Sequence, residues 1–136
     1  MIRIREATDT DVAQIREIFE ATYGTDYAYS EFYEEPYLKK LIYSDDTLML
    51  VGYEALSGLL VGTDSVFLEC GSFTDLVGDF GRLAVHPEYW GQEIGSLLLE
   101  ERLNRVGDRL HVGFMEARVS HPHSLKNGLR YGFAAV

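Results

Sequence analysis

The sequence predicts a single α/β (α+β) domain in which a mixed sheet carries helices on both faces. Three observations lead there. Stretches whose apolar residues recur at helical spacing alternate with shorter runs that read as strands. No internal repeat, low-complexity tract or linker divides the chain. Its 136 residues are the ordinary size of one domain and suffice to bury a core without staples.

Taken in order, Ile2 and Ile4 alternate with Arg3 and Arg5, the pattern of a half-buried first strand. Thr8 stands as an N-cap with Asp11 three residues on, close to a capping box. Val12, Ile15, Ile18 and Phe19 follow at helical spacing, so a first helix is predicted over Asp9–Thr22, ended by Gly24. From Tyr23 to Tyr43 the chain is dense in tyrosine and acid, including Tyr27, Tyr29, Tyr33, Tyr37, Glu31, Glu34 and Glu35. A second helix is expected over Ser30–Leu41, with Pro36 as its point of interruption. Leu48–Tyr53 and Leu59–Leu68 read as an antiparallel strand pair around a turn at Glu54–Gly58. A loop at Cys70–Thr74 precedes the strand Leu76–Val85, where Gly78 and Gly81 mark candidate bulges or close approaches. The loop His86–Gly91 then opens a leucine-rich helix over Gln92–Val106, followed by a strand, Leu110–Val119. A short helix, His121–Tyr131, contains Gly128 and ends at Gly132, and a last strand begins at Phe133. The chain stops at Val136, early in that strand, which predicts that residues 1–136 are an N-terminal domain or a fragment of a longer protein.

Composition excludes several classes of function. Apolar residues make up 46% and charged residues 25%, ordinary for a globular protein. No apolar run approaches the roughly 18 residues that span a bilayer, and Met1–Glu6 lacks the apolar region and cleavage site of a signal peptide. The lone Cys70 excludes an internal disulfide framework and cannot by itself build a cysteine zinc site. A cytoplasmic protein without a membrane partner is the expectation. The net charge of −10, from 22 acidic and 12 basic residues, repels a phosphate backbone and argues against nucleic acid. It favours amines and other cations, and it equally keeps a protein in solution.

The segment Leu83-Ala84-Val85-His86-Pro87-Glu88-Tyr89-Trp90-Gly91-Gln92-Glu93-Ile94-Gly95-Ser96-Leu97-Leu98-Leu99 runs from strand through a tight loop into a helix. Such a turn offers free backbone N–H groups at a helix N-terminus, which with the helix dipole suit a phosphate or diphosphate. An ordinary crossover with a packing glycine has the same spacing. The segment resembles motif A of the GCN5-related N-acetyltransferase (GNAT) superfamily, usually strand–Val–x–Pro–x–x–Arg/Gln–x–x–Gly–x–Gly/Ala–helix. The element order is also that of the GNAT fold, and Glu116–Phe133, with Arg118, His121, Ser124 and the Gly132-Phe133 pair, resembles motif B.

The resemblance implies a mostly antiparallel sheet of six to seven strands, acetyl-CoA as donor, and direct transfer of acetyl to a primary amine without a metal. It places Leu83, Ala84 and Val85 on the strand that grips the thioester and pantetheine. Trp90, Gly91, Gln92, Glu93, Ile94, Gly95 and Ser96 fall on the diphosphate loop, and His121 and Ser124 on the pantetheine side. Trp90 replaces the usual Arg or Gln, and Glu93 replaces the first glycine. A carboxylate about 5 Å from a diphosphate would repel it by roughly 3 kcal/mol at an effective dielectric near 20. Pointed into water, it would instead favour the helix N-terminus.

Acyl transfer to an amine needs a base and a donor for the leaving thiolate. Asp79 stands four residues before Leu83, where histone-acetylating members carry a catalytic glutamate, and alternation puts it on one strand face with Gly81, Leu83 and Val85. Glu69 and Glu116 are the next candidates. The usual acidic tyrosine position is Gly128 here, which leaves Tyr131 as the nearby phenol. His86 reads as a loop residue, and Cys70 has no adjacent base to activate it. Tyr27, Tyr29 and Tyr33 lie where the family walls its acceptor pocket and could hold a cationic small-molecule or peptide amine by cation–π contact, or pack as a lid. The alternative function is a non-catalytic acyl-CoA-binding or interaction domain. An unpartnered last strand predicts a homodimer.

Overall fold

The computed structural model describes residues 1–70, 76–107, 110 and 112–115. Five strands alternate with three helices: β1 (Ile2–Glu6), α1 (Val12–Tyr23), α2 (Glu35–Ile42), β2 (Thr47–Glu54), β3 (Leu60–Cys70), β4 (Leu76–Val85), α3 (Ile94–Val106) and β5 (Val112–Met115). β1 to β4 pair antiparallel in sequence order, and β5 joins β4 in parallel. A parallel neighbour requires a crossover, which α3 supplies. The sheet is thus mixed and mostly antiparallel, with five strands among the described residues. The expected helix His121–Tyr131 and the strand from Phe133 lie outside them.

Strand alternation places a helical layer on each face. Met49 and Val51 of β2 join Val12, Ile15, Ile18 and Phe19 of α1 and Leu38 and Leu41 of α2. Leu50, between them in sequence, turns the other way and packs with Val61, Ile94 and Leu98. Val66 and Phe80 extend that second core against Leu99 and Val106 of α3. Each such side chain, fully buried, contributes about 1.5–3 kcal/mol. α3 sits close to the sheet because Gly62 lies beneath it: a Cβ there would come within 3.2 Å of both Ile94 and Leu98.

Strand ends shift by one or two residues, with Cys70 ending β3 where a loop was expected, and three helix boundaries differ, each for a local reason. The first turn of the first helix is a separate 3-10 turn, Asp9–Asp11. Asp11 anchors it by accepting from the Thr8 N–H at 2.7 Å and from both ends of the Arg5 guanidinium at 2.7 and 2.9 Å. Burial pushes the Asp11 carboxyl up, but Arg5 and Thr8 outweigh it and hold the group below its usual range. The second helix is split into a 3-10 turn, Ser30–Tyr33, and α2. Glu34 between them is extended (φ −108°, ψ 115°), as the fixed ring of Pro36 requires a fresh helix start. α3 begins at Ile94 and not at Gln92, because Glu93 takes a left-handed conformation with φ 58°.

The most consequential irregularity is in β4. Ser65 of β3 faces Gly81 and Thr63 faces Ala84, so Arg82 and Leu83 together oppose the single residue Asp64. This is a β-bulge, and Arg82 absorbs it with φ 53°. One extra residue shifts the alternation, so Phe80 packs beneath α3 while Ala84 packs beneath α1. The expectation that Asp79 shares a face with Leu83 and Val85 is therefore corrected. Asp79 pairs with Phe67 on the α1 side, whereas Leu83 and Val85 pack toward α3.

Candidate active site

The bulge is held from below. Arg102 of α3 is wholly buried, donates through Nη1 to the Ser65 carbonyl at 2.9 Å and the Gly81 carbonyl at 3.3 Å, and forms an ion pair with Asp64. Its guanidinium also lies 5.4 Å from the centre of the Phe80 ring. Complete burial pushes the Asp64 carboxyl up to about 7, against the pull of Arg102. Burial likewise lowers the Arg102 guanidinium, against the raising influence of Asp64 and Asp79. Sequence reasoning missed this pair. Its signal was present: Arg102 interrupts the apolar stripe Leu98–Arg102–Val106, and Asp64 interrupts an apolar strand.

Past the bulge, the carbonyls of Leu83 and Val85 turn away from β3. Tyr23 of α1 donates its hydroxyl to the Leu83 carbonyl at 2.5 Å. Thr22 donates to the Val85 carbonyl at 3.0 Å, and the Trp90 indole N–H donates to the same oxygen at 2.6 Å. Among the described residues β5 pairs with β4 only along Val77–Phe80, so no described strand lies beside Gly81–Val85 on that side. His86 accepts from the Glu88 N–H at 3.2 Å through Nδ1, capping the turn Pro87–Tyr89, which is its structural role.

The loop then reaches α3 through two left-handed residues, Gly91 (φ 84°) and Glu93 (φ 58°). A Cβ on Gly91 would meet nothing within 4 Å, so its backbone is open to a close approach. Trp90, Gly91, Gln92 and Glu93 are exposed, whereas Ile94, Gly95 and Ser96 are buried. Helix geometry leaves the first N–H groups of α3 without partners inside the helix, and their dipoles face the loop. An anionic diphosphate fits this turn.

On the α1 face of the bulge sits a polar and aromatic cluster. Arg82 pairs with Asp79 at 3.0 Å. Its guanidinium lies 4.1 Å from the centre of the Tyr29 ring and 4.6 Å from that of Phe67. Tyr29 meets Tyr27 edge-on at 5.7 Å, and Tyr27 stacks on Tyr23 at 4.6 Å, so rings run from Arg82 to the Leu83 carbonyl. Burial, with Glu31 nearby, raises the Tyr37 phenol above its ordinary value. Of the three tyrosines expected at the acceptor, Tyr27 is buried in the core, and Tyr29 and Tyr33 are half-buried. The Tyr33 hydroxyl accepts from the Tyr27 N–H at 3.3 Å. Arg82 and Tyr23 were not singled out as site residues from sequence, although the glycine at position 81 signalled a bulge. Tyr131, His121, Ser124, Glu116 and Gly128 lie outside the described residues, and Cys70 ends β3.

A bulged fourth strand running through a glycine turn into a crossover helix, on a sheet of this order, defines an acetyltransferase-type domain. The sequence profile described as the acetyltransferase (GNAT) family matches residues 12–126. The chain belongs to that family. No curated protein sequence matches it significantly. Among solved structures, an acetyltransferase from Trypanosoma brucei superposes with a TM-score of 0.80 at 16% identity, over 100% of this chain and 94% of that one. A transcriptional regulator from Bacillus halodurans gives 0.78 at 21% identity, over 99% and 94%. Glucosamine-6-phosphate N-acetyltransferase from Arabidopsis thaliana gives 0.76 at 17% identity, over 100% and 93%. At these identities the likeness concerns the fold.

Among the described residues no helix is long and apolar enough to cross a membrane. The same residues contain no cluster of histidine, cysteine and acid able to hold a metal ion.

Proposed function

We propose that this domain is an acyl-CoA-dependent N-acyltransferase that moves acetyl from acetyl-CoA to a primary amine. The observation that carries the proposal is the bulge in β4, which separates a cofactor side from an acceptor side at one point of the chain. Leu83, Ala84 and Val85 would line the acyl and pantetheine arm, and the turn Gly91–Ser96 would receive the diphosphate. Gly91 leaves room at the turn, and Trp90 is pinned to Val85 beside it. When bound, acetyl-CoA supplies an activated thioester, so the protein's part is placement and proton handling.

Asp79 lies on the other side of the bulge, three residues before Arg82, and is the group we assign to hold the proton of the incoming amine. Its Oδ2 accepts from Arg82 Nη1 at 3.0 Å, which fixes the carboxylate beside the bulge. The Tyr23 hydroxyl, on the Leu83 carbonyl, ties α1 to the strand where the acyl arm would lie. Tyr131 as proton donor to the thiolate, and His121 and Ser124 on the pantetheine side, remain part of the proposal on the strength of motif B.

One observation favours the alternative of a non-catalytic acyl-CoA-binding module: Arg82 neutralises the proposed base. Calorimetric titration with acetyl-CoA, followed by thiol release with a panel of amines, separates the two. Binding with turnover, and a loss of about 10²–10⁴ in rate for Asp79→Asn, is the expected result. Binding without turnover of any amine leaves the module, and absence of binding removes both.

A further inference from the structure

We infer that the acceptor amine carries an acidic group, and that Arg82 is the residue that recognises it. The inference rests on the acyltransferase reading of the same cleft and names the class of amine it takes. Arg82 is brought there by the bulge itself: its positive φ puts the side chain on the α1 face, one residue before Leu83. The guanidinium is not a loose surface charge. It lies over the rings of Tyr29 and Phe67, 4.1 and 4.6 Å from their centres, and its side chain keeps only 15% exposure. An arginine clamped in this way has its planar fork fixed before any ligand arrives.

The fork is also under-used. A guanidinium offers five N–H donors, and among the described residues Arg82 makes one hydrogen bond, from Nη1 to Asp79 at 3.0 Å. Its Nε is buried without a partner. Carboxylate and phosphate oxygens are the acceptors that match such a fork.

The alternative, a bare polycation, meets two obstacles in the same residues. Tyr29 already has a cation on its ring, so that face is not open to a substrate ammonium. Arg82 itself would repel a second positive charge. Asp79 and Arg82 instead set opposite charges side by side, the complement of a molecule that carries an amine and an acid close together. The ammonium would meet Asp79 and the acid would meet Arg82.

The test uses the full chain saturated with CoA and two matched pairs of ligands. One pair is an α-amino acid and its amide, and the other is phosphoethanolamine and ethanolamine. Calorimetry is expected to show at least tenfold tighter binding of the acid-bearing member of one pair, which also separates a carboxylate from a phosphate. Arg82→Gln should erase that preference and Arg82→Lys should keep part of it, with CoA affinity in both variants reporting an intact fold. Equal binding within both pairs, no binding of any of the four, or a preference that survives Arg82→Gln would overturn the inference. Acid-selective binding that depends on Arg82 without acetyl transfer would uphold it while removing the enzyme reading. Transfer to neutral amines at a rate Arg82→Gln leaves unchanged would do the reverse.

Discussion

At Glu93 a residue with a full side chain occupies a left-handed position, φ 58°, in the turn that opens α3. For an L-residue other than glycine this conformation costs about 1–2 kcal/mol. Glu93→Gly is therefore expected to raise stability by about 1 kcal/mol, net of the entropy glycine adds to the unfolded chain, measurable as a higher denaturant midpoint. The same change removes a carboxylate from beside the expected diphosphate, so CoA should bind more tightly, by calorimetry. Both effects come from one fact that was legible in the sequence. The motif asks for glycine there because the backbone turns left, and the backbone still does. Arg82 was not legible in that way. Its placement depends on a bulge whose position among Gly78, Gly81 and their neighbours is set by pairing with β3, a contact between distant parts of the chain.

Among the elements, α3 is the one on which the proposed site depends most, since the proposed cofactor turn leads into one end and Arg102 lies near the other. Gly62→Ala would drive a methyl to within 3.2 Å of Ile94 and Leu98 and 3.3 Å of the Ala84 carbonyl. Overpacking of this kind is expected to cost about 1–3 kcal/mol, read from chemical denaturation. Arg102→Met leaves Asp64 buried without its partner and should cost about 3–5 kcal/mol, whereas adding Asp64→Leu should recover much of the loss. A double-mutant cycle measures the difference. β4 emerged from the sequence with its observed ends, Leu76–Val85, because its glycines and apolar residues are bounded by a proline turn. The division of the second helix at Glu34 was only half legible. Pro36 announced a break, but the 3-10 turn before it is set by Phe32, which is drawn into the core against Phe19 at 5.0 Å.

For the molecule as a whole, stability and acidity are linked through Asp64. Its carboxyl stands at about 7 in the fold against 3.8 when unfolded, so the folded chain holds the extra proton between those values. That contribution to stability is complete below about pH 4 and is lost as pH rises through about 7. Denaturation midpoints should fall over the upper part of this window, and Asp64→Asn should flatten the fall. The net charge of −10 acts in the same direction at higher pH, but added salt screens that effect and leaves the buried carboxyl largely untouched. The helices on both faces were legible from periodicity, and the family from the resemblance of one long motif. The offset between the two halves of β4 was not legible, since it rests on a single residue that breaks the count. Its consequence concerns insertions and deletions. A chain that lost Arg82 alone would keep every apolar residue of β4 and would pair regularly, with Leu83 opposite Asp64 and Gly81 opposite Ser65. Phe80 would stay beneath α3 and Ala84 beneath α1, and the loss would fall on the guanidinium beside Tyr29 and Phe67. In sequence comparisons a gap in this one column should therefore mark chains that keep the sheet and lack the arginine beside Asp79.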